Sequence, residues 1–207
     1  DYKRAIIIGS KQTYGKGTVQ NVINLNNMLR NNTSGDLGAL ALTRQKYYRI
    51  NGGSVQLEGV KSDIKVPGRF SFIDVGEKDK ENPLPYDEID AAEYTPWESY
   101  FDYDATIENS RLRMSSNEQL KLIEQNAKWV KSKIDETVYS LNYETYKAQI
   151  DTNELESKKY EAISNYNTNL TFDSTSFEKE LIAQDTTDLE ENRVRWHESL
   201  SKDVYIE

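Results

Sequence analysis

The sequence predicts an α+β fold, and a contrast between its two ends carries the prediction. Residues 1–66 alternate short, largely β-branched apolar runs with glycine turns, as strands do. From about residue 111 apolar residues recur instead at three- and four-residue steps, the period of a helix with one buried face. Residues 67–110 keep neither period. The chain therefore divides into a β-rich segment (1–66), a connector (67–110) and a mostly helical domain (111–207).

In the first segment, strands are expected over Ala5–Ile8, Val19–Leu25, Leu37–Thr43, Lys46–Ile50 and Val55–Leu57. The first is apolar throughout, as in a strand buried on both faces, and Gly9 ends it. Asn51-Gly52 signals a hairpin, because both residues accept positive φ. Residues 26–35 are polar and read as a surface loop, with Asn-x-Ser/Thr sequons at Asn31 and Asn32. In the connector Pro83 and Pro85 disfavour helix. Its aromatics Tyr86, Tyr94, Trp97, Tyr100 and Phe101 are expected to pack down while its acids stay wet; an acidic groove for a basic partner is the alternative.

In the helical domain, Leu120, Ile123, Ala127, Val130, Ile134 and Val138 fall on one helix face, with Ser116 and Gln119 spaced for a capping box at its start. A second helix is expected after Asn142, carrying Tyr146, Ile150, Tyr160 and Ile163. A polar break over 165–174 precedes a third, which runs through Phe177, Leu181 and Ile182 toward Val194 and Trp196.

With 207 residues, the chain is long enough for one full domain or two small ones. No stretch approaches the eighteen or so apolar residues of a membrane span. A net charge of -9 argues against nucleic acid as a partner, since phosphate binding needs clustered Lys and Arg. The absence of cysteine excludes disulfides and thiolate metal sites and fits either a reducing cytosol or a periplasm.

The most informative residue is Lys16, which follows an apolar strand and a turn and is flanked by Gly15 and Gly17. A phosphate-binding loop needs four residues between its glycines and a Ser or Thr after the lysine. Here five residues separate Gly9 from Gly15, and Gly17 stands in the hydroxyl position, so the phosphate reading fails twice. The other chemistry is a lysine acting as general base for a serine nucleophile, which requires a neutral amine shielded from carboxylates. Residues 2–35 contain no Asp or Glu. The plain alternatives are a surface lysine in a glycine turn and, for Gln20, a solvent-facing strand residue.

Thr13-Tyr14-Gly15-Lys16-Gly17-Thr18-Val19-Gln20 resembles the catalytic-lysine segment of the carboxy-terminal processing (tail-specific) proteases. Leu40–Thr43, Tyr47–Ser54 and Gly59-Val60-Lys61-Ser62-Asp63-Ile64 resemble the segments that follow in that family, with Ser62 where the family has proline. Residues 82–92 and 140–143 resemble parts of its larger bacterial members, which carry a helical C-terminal domain. The resemblance implies a serine-type endopeptidase with a Ser/Lys dyad, in which Lys16 is the base and Gln20 supports it. Gly15 and Gly17 are then backbone requirements of the turn. Residues 1–66 become the C-terminal part of the catalytic core.

The same resemblance implies protein substrates recognised near their C-termini and a bacterial envelope location, which would be the periplasm. No cofactor is expected, and the helical region offers a surface that a protein adaptor could use. In the family the nucleophile precedes the lysine strand, so it is expected upstream of Asp1 and the fragment is expected to be inactive alone. Ser10, Ser34 and Ser54 lack the family's small-residue surroundings, and Asp203–Glu207 reads as an unfinished segment.

The remaining candidates read as structural. His197, the single histidine, sits in a charged helix, and Asp87-Glu88 and Glu190-Glu191 read as wet faces without metal-ligand spacing. The Leu120–Val138 stripe, with Trp129 and Tyr139 beside it, reads as core, or as a surface for a partner. The rival to the peptidase is a non-enzymatic helical interaction module on a strand scaffold.

Overall fold

The computed structural model describes residues 1–28, 31–33, 35–98, 101–184 and 188–207, so Ser34 and Tyr100 lie outside the described residues. It forms two compact units, one of residues 1–65 with 73–111 and one of residues 66–72 with 112–207. Strands occupy the first and most of the helix occupies the second, which is the α+β composition expected.

In the first unit β1 (Ile8–Gly9) pairs in parallel with β4 (Ile64–Lys65). Asp63 fastens this pair. Its Oδ2 accepts the Ile7 N–H at 2.8 Å, its own N–H donates to Ile7 O at 2.9 Å, and burial together with a hydrogen bond to Asp63 raises the Tyr103 hydroxyl pKa to about 12. The expected strand Ala5–Ile8 is thus shorter and displaced, and it is not buried on both faces: Ile7 and Ile8 are 42% and 60% exposed. Its sheet holds only two strands, so no second neighbour covers them.

The longer strands β2 (Thr18–Asn24) and β3 (Ala39–Lys46) form an antiparallel hairpin in register from Thr18↔Lys46 to Asn24↔Ala39. The register slips once, between Val19 and Gln20, where Arg44 is passed over as in a β-bulge. Two further strand expectations fail. Of Lys46–Ile50, Lys46 ends β3 and the rest contributes only an isolated bridge, Tyr48↔Ser54, around the Asn51-Gly52 reversal. Val55–Leu57 is a turn rather than a strand, because Gln56 points inward to hydrogen-bond other loops instead of a neighbouring strand.

The connector residues from 73 onward pack with this unit. Tyr94 meets the Tyr2 ring edge-on at 5.4 Å and the Trp97 N–H donates to Tyr2 O. Tyr86 and Trp97 remain substantially exposed, against expectation. Asp87 is not simply wet either: it pairs with Lys46 Nζ at 2.9 Å and accepts from the Tyr48 hydroxyl at 3.0 Å. A helix absent from the sequence reading, α1 (Tyr103–Ser116), starts where Asp102 Oδ1 accepts the Ala105 N–H, and Ile107 is its one buried residue.

The second unit holds α2 (Glu118–Asp135), α3 (Tyr143–Lys158), α4 (Ser176–Gln184) and α5 (Leu189–Ser201). Its core joins Leu120 and Ile123 of α2 to Val204, with Met114, Ile163 and Tyr166 packed against them, and Ala127 and Val130 continue the buried face. Asn117 rather than Ser116 caps α2, its side chain accepting the Leu120 N–H, since α1 has already consumed Ser116. The stripe also ends early, leaving Ile134 exposed and Val138 beyond the helix end and 83% exposed. The helix expected after Asn142 is α3, with Asn142 as its cap, but Tyr160 and Ile163 lie past its end, Ile163 in a short 3-10 turn. The third expected helix is two elements, α4 and α5.

Candidate active-site segment

Lys16 lies in the loop of residues 10–17 that joins β1 to β2, and the backbone on both sides of it is tied down. Gly15 O accepts the Leu57 N–H at 2.7 Å and Gly17 O accepts the Tyr47 N–H at 3.1 Å. The Tyr47 hydroxyl donates to Lys16 O at 2.7 Å, and the Gly17 N–H donates to Gln56 Oε1 at 2.8 Å. Upstream, Thr13 N–H donates to Val60 O and Val60 N–H to Thr13 Oγ1. Ser62, standing where the resembled family has proline, donates its hydroxyl to Ser10 O at 2.6 Å.

The glycines are what permit this closeness. Gly15 has φ +85°, a conformation costly for a residue with a Cβ, and a Cβ there would stand 2.9 Å from Leu57 O. At Gly17 the obstacle is space alone: a Cβ would meet Gln56 N at 2.7 Å and Ser54 Oγ at 2.8 Å.

The Lys16 side chain is half-buried and its Nζ donates to Gln20 Oε1 at 2.9 Å. Lys16 stands just before β2 and Gln20 within it, and two long side chains close the gap of four positions between them. Gln20 itself is exposed and sits at the register slip of the hairpin. No ion pair ties up the Lys16 amine among the described residues.

An acid does lie nearby, from a part of the chain the local sequence does not reveal. Glu77 is 6% exposed, and its N–H donates to Tyr14 O at 2.8 Å. Its carboxylate pairs with Lys80 at 2.8 Å, so the acid is already engaged by a different lysine. The Lys80 ammonium holds the Glu77 carboxyl below the ordinary carboxylate range, with smaller contributions from the Gln56 amide and the charge of Lys16.

Residues 70–207 match the family described as C-terminal domain of tail specific protease, and residues 1–66 match Peptidase family S41. The chain belongs to the tail-specific protease family. It is 37% identical over 155 residues to the Tail-specific protease of Haemophilus influenzae, covering 73% of this chain and 22% of that protein. It is 36% identical over 113 residues to the Carboxy-terminal-processing protease of Bartonella bacilliformis, covering 55% of this chain and 18% of that one. The chain thus spans about a fifth of the length of these relatives. Residues 73–111 fall within the first match yet pack with residues 1–65, so a piece of the named C-terminal domain, Glu77 included, is built into the lysine-bearing unit.

Lys16 and Gln20 are therefore brought together, and Gly15 and Gly17 frame them. Sequence reasoning missed Gln56, Tyr47 and Glu77. A buried glutamine between two glycine turns leaves no periodic signal, and Glu77 lies in a charged run that reads as solvated. Of the serines weighed in the sequence, Ser54 is buried with its Oγ accepting the Gln56 N–H, and Ser10 Oγ bonds weakly to Gln12 O. His197 lies on α5 of the helical unit, its ring 5.5 Å from that of Trp196.

Proposed function

We propose that this chain carries the general-base half of a serine-type endopeptidase, with Lys16 as the base and Gln20 as its support. The observation that carries the reading is the 2.9 Å bond from Lys16 Nζ to an uncharged acceptor, in a chain whose relatives are named as proteases. Gln20 Oε1 takes one amine N–H and fixes the arm, leaving the nitrogen lone pair for an incoming proton. A serine on a segment outside residues 1–207 gives its hydroxyl proton to the unprotonated amine as its oxygen attacks a peptide carbonyl. The ammonium then returns that proton to the departing amine. Water attacks the remaining serine ester with the same nitrogen as base, releasing the acid and restoring the hydroxyl.

Under this reading residues 1–207 have no hydrolytic activity by themselves. The substrates are proteins recognised near their C-termini, and the enzyme works in the bacterial cell envelope. The exposed apolar residues Val138 and Leu141 between α2 and α3, with Tyr143 at the start of α3, favour a second role for the helical unit, that of docking a protein adaptor.

The test is covalent labelling. With the chain extended at its N-terminus to the length of its relatives, a fluorophosphonate probe is expected to modify one serine outside residues 1–207, and Lys16→Ala is expected to abolish the modification. Undiminished labelling of that variant would overturn the assignment of Lys16. Tight partner binding by the helical unit with no labelling of the extended chain would favour the interaction module.

A further inference from the structure

We propose that Gln56 is a positioning residue for Lys16; the proposal rests on the reading of Lys16 as the base. Lys16 O and the Gly17 N–H belong to one planar peptide unit. The Tyr47 hydroxyl holds one edge of that plane at 2.7 Å and Gln56 Oε1 holds the other at 2.8 Å. The preceding plane is fixed at Gly15 O by the Leu57 N–H, which follows Gln56 directly in the chain. With both planes fixed, the direction of the Lys16 Cα–Cβ bond is set. The arm then has only its own rotamers with which to reach Gln20.

Gln56 is suited to this task because it cannot turn. It is 0% exposed, and a buried amide must find partners for all its donors and acceptors. Oε1 serves Gly17 and Nε2 donates to Leu84 O at 2.9 Å. Reversing the amide would set its N–H groups against the Gly17 N–H and its oxygen against the Leu84 carbonyl. One orientation satisfies both partners, and in it peptide N–H, amide and carbonyl polarise one another in series.

Gln56 touches neither Nζ nor any reacting atom, so its effect should appear in turnover rather than in substrate affinity. In the extended chain, Gln56→Met, similar in size but without hydrogen bonds, is expected to lower kcat by ~10- to 100-fold with KM within about twofold, the loss that a misplaced catalytic group produces. If Gln56→Met does not fold, Gln56→Asn, which keeps a polar amide but withdraws the acceptor from the Gly17 N–H, is expected to lower kcat by several fold with KM again unchanged.

Rescue separates positioning from bulk stability. Gln56→Glu keeps an acceptor for the Gly17 N–H and loses only the donor to Leu84 O, so it should retain more turnover than Gln56→Met. An unchanged kcat in the folded Gln56→Met or Gln56→Asn variant would overturn the proposal, as would a Gln56→Glu variant no more active than Gln56→Met. Lys16→Ala is the control. If it retains turnover the base assignment itself falls, whereas its inactivity beside a fully active Gln56→Met would discard only the positioning role.

Discussion

The two units of this protein tie down their polar groups with different balances of long-range and local bonds. In the lysine-bearing unit the bonds that shape the loop join residues far apart in sequence: Gly17 with Gln56, Thr13 with Val60, Tyr14 with Glu77, Ile7 with Asp63. In the helical unit local bonds prevail, through the helices themselves, the caps Asn117 and Asn142 and surface ion pairs such as Glu124–Lys128 and Lys131–Asp135. Beside them stand a few longer-range bonds such as Trp129 Nε1 to Glu156 and the Thr168 N–H to Ser201 O. The first arrangement makes shape depend on the identity of single residues; the second distributes it. Under the proposed function, a unit that aims one amine needs the former.

Substitutions that probe the contrast should rank accordingly. The largest effect is expected where the helical unit does concentrate its burial: Leu120→Ala removes the centre of its small core and should cost ~2–4 kcal/mol by denaturant unfolding. Next comes Gly17→Ala, whose added methyl has no room beside Gln56 and Ser54 and should cost ~1–3 kcal/mol. Unlike Leu120→Ala, it should also accelerate hydrogen exchange at the Gly17 amide specifically. Asn142→Ala should cost only ~1 kcal/mol and fray the first turn of α3 without touching the loop, as loss of one N-cap does. A Gly17→Ala effect smaller than that of the cap would erase the distinction between the units.

The smallest effect is a pH dependence with a defined sign. Folding depresses the Glu77 carboxyl below its ordinary value, chiefly through Lys80. Its contribution is therefore fully present above the unfolded carboxylate pKa, about 4.3, and is lost as pH falls through the lower folded value. Stability measured from neutral pH downward should show less acid sensitivity in Glu77→Gln than in the unsubstituted chain. Identical acid limbs would show that Glu77 is not engaged as described.

How much of this was legible in the sequence follows from the range of the interactions. The helices after Asn117 and Asn142 were readable because a cap and a repeating apolar face are local signals, although Asn117 took the capping role expected of Ser116. The helix α1 was not, because Tyr103–Ser116 buries only Ile107 and shows no stripe. Lys16, Gln20 and the two glycines stood out as a compact motif whose glycines mark close backbone approach. What they approach was hidden: Gln56 lies 39 positions from Gly17, and Glu77 reaches Tyr14 from a charged run that looked solvated. The exposed Ile7 and Ile8 show the converse, an apolar run that promises a buried strand where the sheet supplies only one neighbour.

The central claim is that a loop fixed by distant partners aims Lys16 to accept a proton. Its most direct test is kcat/KM of Lys16→Ala in the extended chain against a peptide ending in apolar residues, with thermal unfolding measured alongside. The account predicts a loss of at least ~100-fold, the contribution of a positioned general base, with an unfolding midpoint close to that of the unsubstituted protein. Turnover within a few fold of the unsubstituted enzyme, in a variant that folds normally, would contradict it.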